Sequence, residues 1–305
     1  LLNELPMSDI TDGVVRATYV ADALKRDEHY VVKDGRVYIV DEYSGRIAEG
    51  RKWRNGVHQA VEARELVEIS PLTSHSARIP VQELFGQYDR ISGMTGTAAT
   101  AAHEFLSVYG LPVFRIPTRR PSRRTAWPVN ILPTSDARWE SVAREVQQQH
   151  QAGRPVLVGT RTIEQSERLA SLLTDYGIEH QLLNARNHAR EAEIVSEAGQ
   201  PGRVTVATNM AGRGTDIALR GDSESRGGLH VVCGEFHAAG RIDRQLIGRC
   251  ARQGDPGSYR QFLSLEDDIL QEGLDKLDLS RLQRRGTNEN NELTSTLPHF
   301  LKAQR

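Results

Sequence analysis

Residues 204–216 read V-T-V-A-T-N-M-A-G-R-G-T-D, and this stretch decides the fold class. Its first five residues form a short, mostly apolar run, which is typical of a strand buried on both faces of a parallel sheet. The run breaks into two glycines around Arg213, and Asp216 follows. Ligands of parallel α/β sheets bind beside the carboxyl ends of the strands, so the stretch predicts a ligand-contacting turn.

The chain around this stretch alternates strand and helix signals, as a parallel α/β sheet does. Strands are predicted at residues 155–160, 177–183, 204–208, 229–233 and 259–265. Helices are predicted after a capping box formed by Thr162 and Gln165, over about 189–198, and over 241–252. The expected architecture is a parallel sheet flanked by helices.

The flanking parts are less regular. Residues 30–40 predict a hairpin whose tight turn is Asp34-Gly35, and residues 53–66 predict a helix. Residues 115–124 contain two prolines and five arginines, which indicates a crossover between domains. The tail from about residue 271 is polar and prone to form helix, with a loop expected at 286–291.

Bulk composition excludes some function classes. The 305 residues include 39 basic and 40 acidic side chains, a net charge of −1, which argues against sequence-blind coating of nucleic acid. The two cysteines have no paired spacing, so neither a disulfide framework nor a zinc site is expected. No apolar run reaches the roughly 18 residues of a membrane span. The chain begins at Leu1, and we expect it to be a piece of a longer protein.

The turn at 212–216 has the residue types of a nucleotide site. Gly212 and Gly214 permit close backbone approach, because no Cβ stands in the way. Arg213 is suited to a phosphate, and Asp216 to the hydroxyls of a ribose. The alternative is a plain glycine-rich turn in which Arg213 and Asp216 pair with each other.

A second cluster, Q-L-I-G-R-C-A-R, lies at 245–252. On the predicted helix, Arg249 and Arg252 are three residues apart and share a face, which suits an anion such as a γ-phosphate. The alternative is a surface helix whose arginines pair with Glu266 or Asp267.

The two clusters together resemble the second RecA-like lobe of a superfamily 2 helicase-type motor, whose arginine motif reads Q-x-x-G-R-x-x-R. The amino-acid sequence of residues 208–216 is similar to the corresponding motif of SecA, the ATPase of bacterial preprotein translocation. The resemblance runs from about residue 30 to 270. It rests also on V-D-E-Y-S-G-R (40–46), G-R-K-W-R (50–54), H-Q-A-V-E-A (58–63), S-G-M-T-G-T-A (92–98), P-V-L-V-G (155–159), G-G-L-H (227–230) and S-L-E-D (264–267).

This resemblance implies roles for individual residues. Asp216 matches an aspartate that contacts ATP, and Arg213 an arginine that approaches the phosphates. Arg249 and Arg252 match arginines that sense or stabilise the γ-phosphate. The implied catalytic residues are Arg213, Arg249 and Arg252, and the implied nucleotide-binding residues are Asp216, Gly212, Gly214 and Gln245. Residues 92–98 match a relay between lobes, unless they are only a Gly/Thr-rich turn.

The chain departs from the family in three places. Cys250 and Ala251 stand where serine and glycine are usual, residues 233–239 differ from the common wording, and the segment 218–227 is short. There is no G-x-x-x-x-G-K-[ST] phosphate loop, the main source of nucleotide affinity in such motors. Asp41 and Glu42 look like a Walker B pair, but they are better interpreted as ordinary acids at a strand end.

The resemblance also implies a domain plan: 1–35, end of the preprotein-crosslinking insertion; 36–118, return of the first nucleotide-binding lobe; 119–268, second lobe; 269–305, start of a helical scaffold. The implied function is that of an ATP-driven motor that moves unfolded preproteins through the SecYEG channel at the cytoplasmic face of the bacterial inner membrane. Anionic lipid is a further implied partner, homodimerisation is left open, and no specific nucleic acid is expected. Mg²⁺ would be held mainly by the first lobe. The chain alone is expected to bind ATP weakly and not to hydrolyse it. The alternatives are a nucleic-acid helicase lobe and a non-catalytic scaffold.

Overall fold

The computed structural model describes residues 7–41, 47–48, 50–71, 79–184, 191–208, 215–275, 278–279, 282 and 293–304. A seven-stranded sheet dominates it, and all the pairings within that sheet are parallel. Its strands are β3 (Arg123–Ala126), β4 (Asn130–Leu132), β5 (Val156–Thr160), β6 (Gln181–Leu183), β7 (Val204–Thr208), β8 (Leu229–Cys233) and β9 (Pro256–Ser264). The order across the sheet is β3-β9-β8-β5-β7-β6, and β4 pairs with the second half of β9. The predicted fold class is confirmed.

The three central strands are buried along their whole length, because helices cover both faces of the sheet. Alternate residues therefore enter different cores. On β5, Val156 and Val158 pack with Trp139 and Leu169 on one face, whereas Leu157 packs on the other. The near-continuous apolar runs in the sequence follow from this double burial.

Helices α5 (Ser135–Gln151) and α6 (Ile163–Asp175) cover the first face, and α7 (Glu191–Glu197) and α8 (Gly240–Ile247) cover the second. The predicted capping box of α6 is present, with the Thr162 side chain accepting from the Gln165 amide and the Gln165 side chain accepting from the Thr162 amide. Helix α8 packs closely on β5, since a Cβ on Gly159 would overlap the side chain of Leu246.

The part before the sheet contains the predicted hairpin. Strands β1 (Tyr30–Lys33) and β2 (Arg36–Ile39) pair antiparallel around Asp34-Gly35, where both residues have positive φ, at 51° and 69°. Helices α1 (Met7–Ala23) and α2 (Val57–Arg64) pack on this hairpin around Tyr30 and Val61.

Residues 79–116 follow, and we call them the exposed apolar segment because many of their apolar side chains are exposed. They include α3 (Val81–Gly86), a 3-10 turn (Ala98–Ala101) and α4 (Ala102–Tyr109), and none of these three elements has a buried residue. At the other end of the chain, α9 (Asp268–Gly273) and α10 (Leu297–Ala303) pack beside β4 through Leu270 and Phe300. Within the described residues, no helix is long and apolar enough to cross a membrane.

Several predicted boundaries were too wide. The helix expected at 53–66 covers only α2, and the strand expected at 177–183 is confined to β6, whereas β9 begins three residues before the predicted strand. The helix predicted over 241–252 ends at Ile247. It could not have continued through residue 252, because Ala251 has a left-handed φ angle of 54°, which no α-helix contains. The loop expected at 286–291 lies outside the described residues.

Candidate functional site

The candidate site lies at the carboxyl edge of the sheet, where parallel strands present their ends to ligands. Strand β7 ends there at Thr208, and the chain is described again from Thr215 onward. The predicted residues Gly212, Arg213 and Gly214 lie outside the described part of the chain.

The two predicted clusters meet at this edge. The Arg252 guanidinium donates to the Asp216 carboxylate, with 2.6 Å between Nη1 and Oδ1. Arg249 donates from Nη1 to the backbone carbonyl oxygen of Thr215 at 2.9 Å. Side chains more than 30 residues apart in the chain therefore converge on one point.

Arg252 binds Asp216, whereas the alternative pairing of Asp216 with Arg213 involves a residue outside the described part of the chain. The two acids that were possible partners of the arginines are bound elsewhere: Glu266 accepts from the backbone amide of Ser135, and Asp267 pairs with Arg138.

The expectation that Arg249 and Arg252 share the face of one helix was wrong. Both lie in the turn between α8 and β9, which we call the arginine turn (residues 248–255). Their convergence arises from the path of this turn, in which Arg252 Nε also donates to the Gly248 carbonyl at 2.9 Å.

The arginines and Asp216 differ in exposure. Arg249 is only 8% exposed, whereas the side chains of Arg252 and Asp216 are 35% and 54% exposed. Gln245 lies on α8, half-buried, one turn before them. The arrangement supplies guanidinium donors that suit phosphate oxygens and a carboxylate that accepts from hydroxyl groups.

A buried charged cluster lies at the same carboxyl edge of the sheet, and sequence reasoning missed it as a cluster. Arg138 near the start of α5 is 2% exposed, pairs with Asp267 at the end of β9, and lies 3.9 Å from a carboxylate oxygen of Glu235. Glu235 also lies 3.8 Å from Arg161, which follows β5. Glu235, Arg161 and Asp267 each lie one to three residues beyond a strand end, and that shared position is the signal that was available in the sequence.

Burial raises the pKa of Asp267 to about 7; the charge of Arg138 lowers it, and Glu235 raises it further. In the unfolded chain the same carboxyl titrates near 3.8. Between these two values the folded protein holds a proton that the unfolded chain has lost, so stability from this group falls as the pH rises from about 4 to about 7.

The divergent segment 233–239 is firmly held. His237 Nδ1 lies 2.5 Å from Asp243 Oδ1, which also accepts from the His237 amide. Gln304, just after α10, donates to the other Asp243 oxygen at 2.5 Å and to the His237 carbonyl at 2.9 Å. The tail of the chain is thereby tied to the segment that leads into α8.

The structure also describes parts of two other predicted stretches. The segment 92–98 is followed by Thr100, whose hydroxyl accepts from Arg244 on α8 at 2.8 Å. Asp41 pairs with Arg51 at 3.2 Å, which agrees with its interpretation as an ordinary acid at a strand end, and Glu42 lies outside the described residues.

Within the part of the chain that is described, no group of three or more acidic, His or Cys side chains is placed to hold a metal ion.

Comparison with known families identifies domains that this chain resembles. The SecA P-loop domain matches residues 121–226 and 223–289, together more than half of the chain. The SecA preprotein cross-linking domain matches residues 4–62.

Similar proteins agree with these matches. Protein translocase subunit SecA 2 of Rhodopirellula baltica is 51% identical over 99% of this chain and 48% of its own length. Protein translocase subunit SecA of Halothermothrix orenii is 51% identical over 81% of this chain and 29% of its own length. The chain thus spans about half or less of these relatives.

Among solved structures, the E. coli DEAD-box protein SrmB, in a crystal structure with RraA, aligns with a TM-score of 0.38 and 22% identity over 50% of this chain and 82% of its own. A likeness at that level identifies no function. The two family matches and the 51% identities are specific, and the chain belongs to the SecA family.

Proposed function

We propose that this chain is part of an ATP-driven motor that moves preproteins through the SecYEG channel, and that it contributes the second lobe's half of the ATP site. The observation that carries the proposal is the meeting of the two clusters: Arg252 binds Asp216, and Arg249 binds the backbone one residue earlier. A motor lobe that closes on a nucleotide needs these groups at one place on its carboxyl edge.

The described residues fit one side of a nucleotide. ATP, when bound, supplies the phosphoryl group whose transfer to water provides the free energy of transport. Asp216 would accept from hydroxyl groups of the ligand, whereas Arg249 and Arg252 would hold negative charge on the phosphates. Arg213, Gly212, Gly214 and Gln245 complete the proposed set, and Mg²⁺ would be bound mainly by the first lobe.

The remainder of the site would come from a lobe with a phosphate-binding lysine loop, a motif that is not found in these 305 residues. The exposed apolar segment supports this division. Its helices α3 and α4 have no buried residue, and Phe85, Leu106 and Phe114 are 45%, 56% and 80% exposed. We propose that the remainder of the first lobe, to which this segment itself belongs in the domain plan, covers them.

The domain plan proposed from the resemblance is kept: 1–35, end of the preprotein-crosslinking insertion; 36–118, return of the first lobe; 119–268, second lobe; 269–305, start of the scaffold. The relatives that carry the name protein translocase subunit support preprotein as the substrate. SecYEG and anionic lipid at the cytoplasmic face of the inner membrane are the further partners we propose.

The test uses the full-length protein that contains this chain. We expect ATP turnover to rise with SecYEG in lipid vesicles together with an unfolded preprotein, and not with RNA or DNA. Arg252→Gln should lower the stimulated turnover by about a hundredfold or more, because it removes positive charge from the transition state. Arg226→Gln is the control, since Arg226 pairs with Asp222 outside the arginine turn.

Stimulation by nucleic acid alone would contradict the proposal and favour a helicase lobe. Absence of ATP turnover by the full-length protein with every one of these partners would favour a non-catalytic scaffold. For the 305-residue chain alone we expect no steady ATP turnover, and micromolar ATP affinity by titration calorimetry would contradict the half-site interpretation.

A further inference from the structure

The arginine turn has an unusual backbone. Ala251, Gln253 and Gly254 have φ angles of 54°, 56° and 90°, so three of four successive residues are in a left-handed conformation. Residues other than glycine rarely adopt it, and they persist there only when surrounding contacts hold them. The contacts that hold this turn are therefore informative about what keeps Arg249 and Arg252 in position.

Those contacts come from the predicted crossover. Arg124 donates from both Nε and Nη2 to the carbonyl oxygen of Cys250, at 3.2 and 2.9 Å. Arg120 donates to the Gln253 carbonyl at 3.4 Å, and Arg123 to the Gly254 carbonyl at 3.5 Å. Arginines spaced over five residues thus bind backbone carbonyls along the turn, and the bonds from Arg124 are the shortest.

The position of Arg124 is fixed by the sheet. It lies on β3, where it pairs in parallel register with Gly257 of β9, the strand that continues from the arginine turn. Cys250 is fixed from the other side, because its side chain is buried against α8 and its thiol donates to the Ile247 carbonyl at 3.3 Å. The carbonyl that Arg124 binds is therefore a defined anchor between Arg249 and Arg252.

We infer that Arg124 is a positioning residue: it shapes the arginine turn so that Arg249 and Arg252 reach the edge where Asp216 lies. Arg124 touches neither Asp216 nor Thr215 in any of its hydrogen bonds; it acts through the backbone of Cys250. The inference deepens the proposed function. The expected effect of Arg124 on ATP turnover rests on that function, whereas its expected effect on the structure of the arginine turn does not.

The residue type matters for this role. An arginine side chain directs two N–H groups at one oxygen from a rigid planar group, whereas a lysine supplies a single flexible ammonium. We therefore expect Arg124→Lys to restore part of the function that Arg124→Gln removes. A side chain that merely kept the surface soluble would show no such difference.

The first measurement is amide hydrogen exchange in the nucleotide-free full-length protein. The amide of Asp255 donates to the Arg252 carbonyl at 2.8 Å and reports on the turn. Arg124→Gln should increase exchange across 248–255 by about tenfold, through loss of hydrogen bonds from a charged donor. Arg119→Gln is the matched control, because Arg119 lies in the same segment, is exposed, and makes no side-chain hydrogen bond or ion pair within the described residues.

The second measurement is stimulated ATP turnover. Arg124→Gln should lower kcat by about tenfold while KM for ATP changes less than about twofold, because the displaced arginines act mainly on the transition state. Arg124→Lys should lie between Gln and the wild type, and Arg119→Gln should match the wild type. If Arg124→Gln does not fold, as judged by circular dichroism, the Lys variant carries both measurements.

The outcomes separate the inference from the proposed function. Unchanged exchange in Arg124→Gln overturns the inference, whatever the turnover. If Arg252→Gln lowers kcat but Arg124→Gln does not, the inference fails and the proposed function stands. If Arg124→Gln increases hydrogen exchange but Arg252→Gln leaves kcat unchanged, the proposed function fails. The support of the turn by Arg124 then still stands.

Discussion

The Asp216–Arg252 ion pair leads to a prediction in which folding stability and nucleotide binding respond differently. The two charged atoms lie 2.6 Å apart, but the side chains are 54% and 35% exposed. Water and salt screen such a pair, so it contributes about 0.2–1 kcal/mol. We therefore expect Asp216→Asn to lower the free energy of unfolding by less than about 1 kcal/mol.

Nucleotide binding should respond more strongly. A hydrogen bond to a charged group is worth about 1.5–3 kcal/mol, and each 1.4 kcal/mol is tenfold in affinity. If Asp216 accepts from ATP, Asp216→Asn should weaken ATP binding by the full-length protein by about ten- to hundredfold. The amide keeps the shape and polarity of the side chain, so the change isolates the charge.

The assay is a double-mutant cycle of Asp216→Asn and Arg252→Gln. Urea unfolding followed by tryptophan fluorescence gives the coupling between the two side chains, which we expect to be below about 1 kcal/mol. Titration calorimetry of the full-length variants gives ATP affinity. The control is Asp222→Asn, which breaks a pair of similar length, 2.7 Å to Arg226, away from the arginine turn.

Either of two results would refute this reasoning. A loss of more than about 2 kcal/mol of stability in Asp216→Asn would make Asp216 a structural partner of Arg252, beyond what an exposed pair supplies. Unchanged ATP affinity, with Asp222→Asn as the reference, would remove Asp216 from the nucleotide site.

Two further predictions concern the scaffold. Gly228→Ala should cost about 3 kcal/mol of unfolding free energy, because the position has positive φ and a Cβ would overlap the Pro256 carbonyl of the neighbouring strand. Gly177→Ala, with similar φ and open space, should cost only about 1 kcal/mol; equal losses in urea unfolding would contradict the clash. The unfolding free energy of the wild type should fall by on the order of 4 kcal/mol between pH 4 and 7, since the pKa of Asp267 is raised from 3.8 to about 7. Asp267→Asn should remove this fall, because the amide does not titrate. Wild-type and variant unfolding curves that stay parallel across this range would show that Asp267 is ionised throughout.

The bounds of several strands and turns were predicted correctly from the sequence, to the exact residue. Strands β7 and β8 have the predicted bounds, because a continuous apolar run buried on both faces has clear ends. The hairpin turn at Asp34-Gly35 and the capping box at Thr162 were also correct. In each of these cases the decisive contacts lie within a few residues along the chain.

Boundaries failed where distant parts of the chain decide them. The apolar spacing around Leu246 continues a helical pattern, yet the backbone leaves the helix after Ile247. The left-handed residues that follow are held partly by Arg124, more than 120 residues earlier in the chain. No local pattern in 241–252 contains that information.

The sequence by itself determined the α/β class, the family and the candidate residues, since these depend on short-range periodicity and motif spacing. Only the tertiary structure decided which charges meet: Arg252 with Asp216, Arg138 with Asp267, and Arg124 with the Cys250 carbonyl. The physical reason is that an arginine can satisfy its donors on many acceptors, and the order of strands in the sheet selects among them.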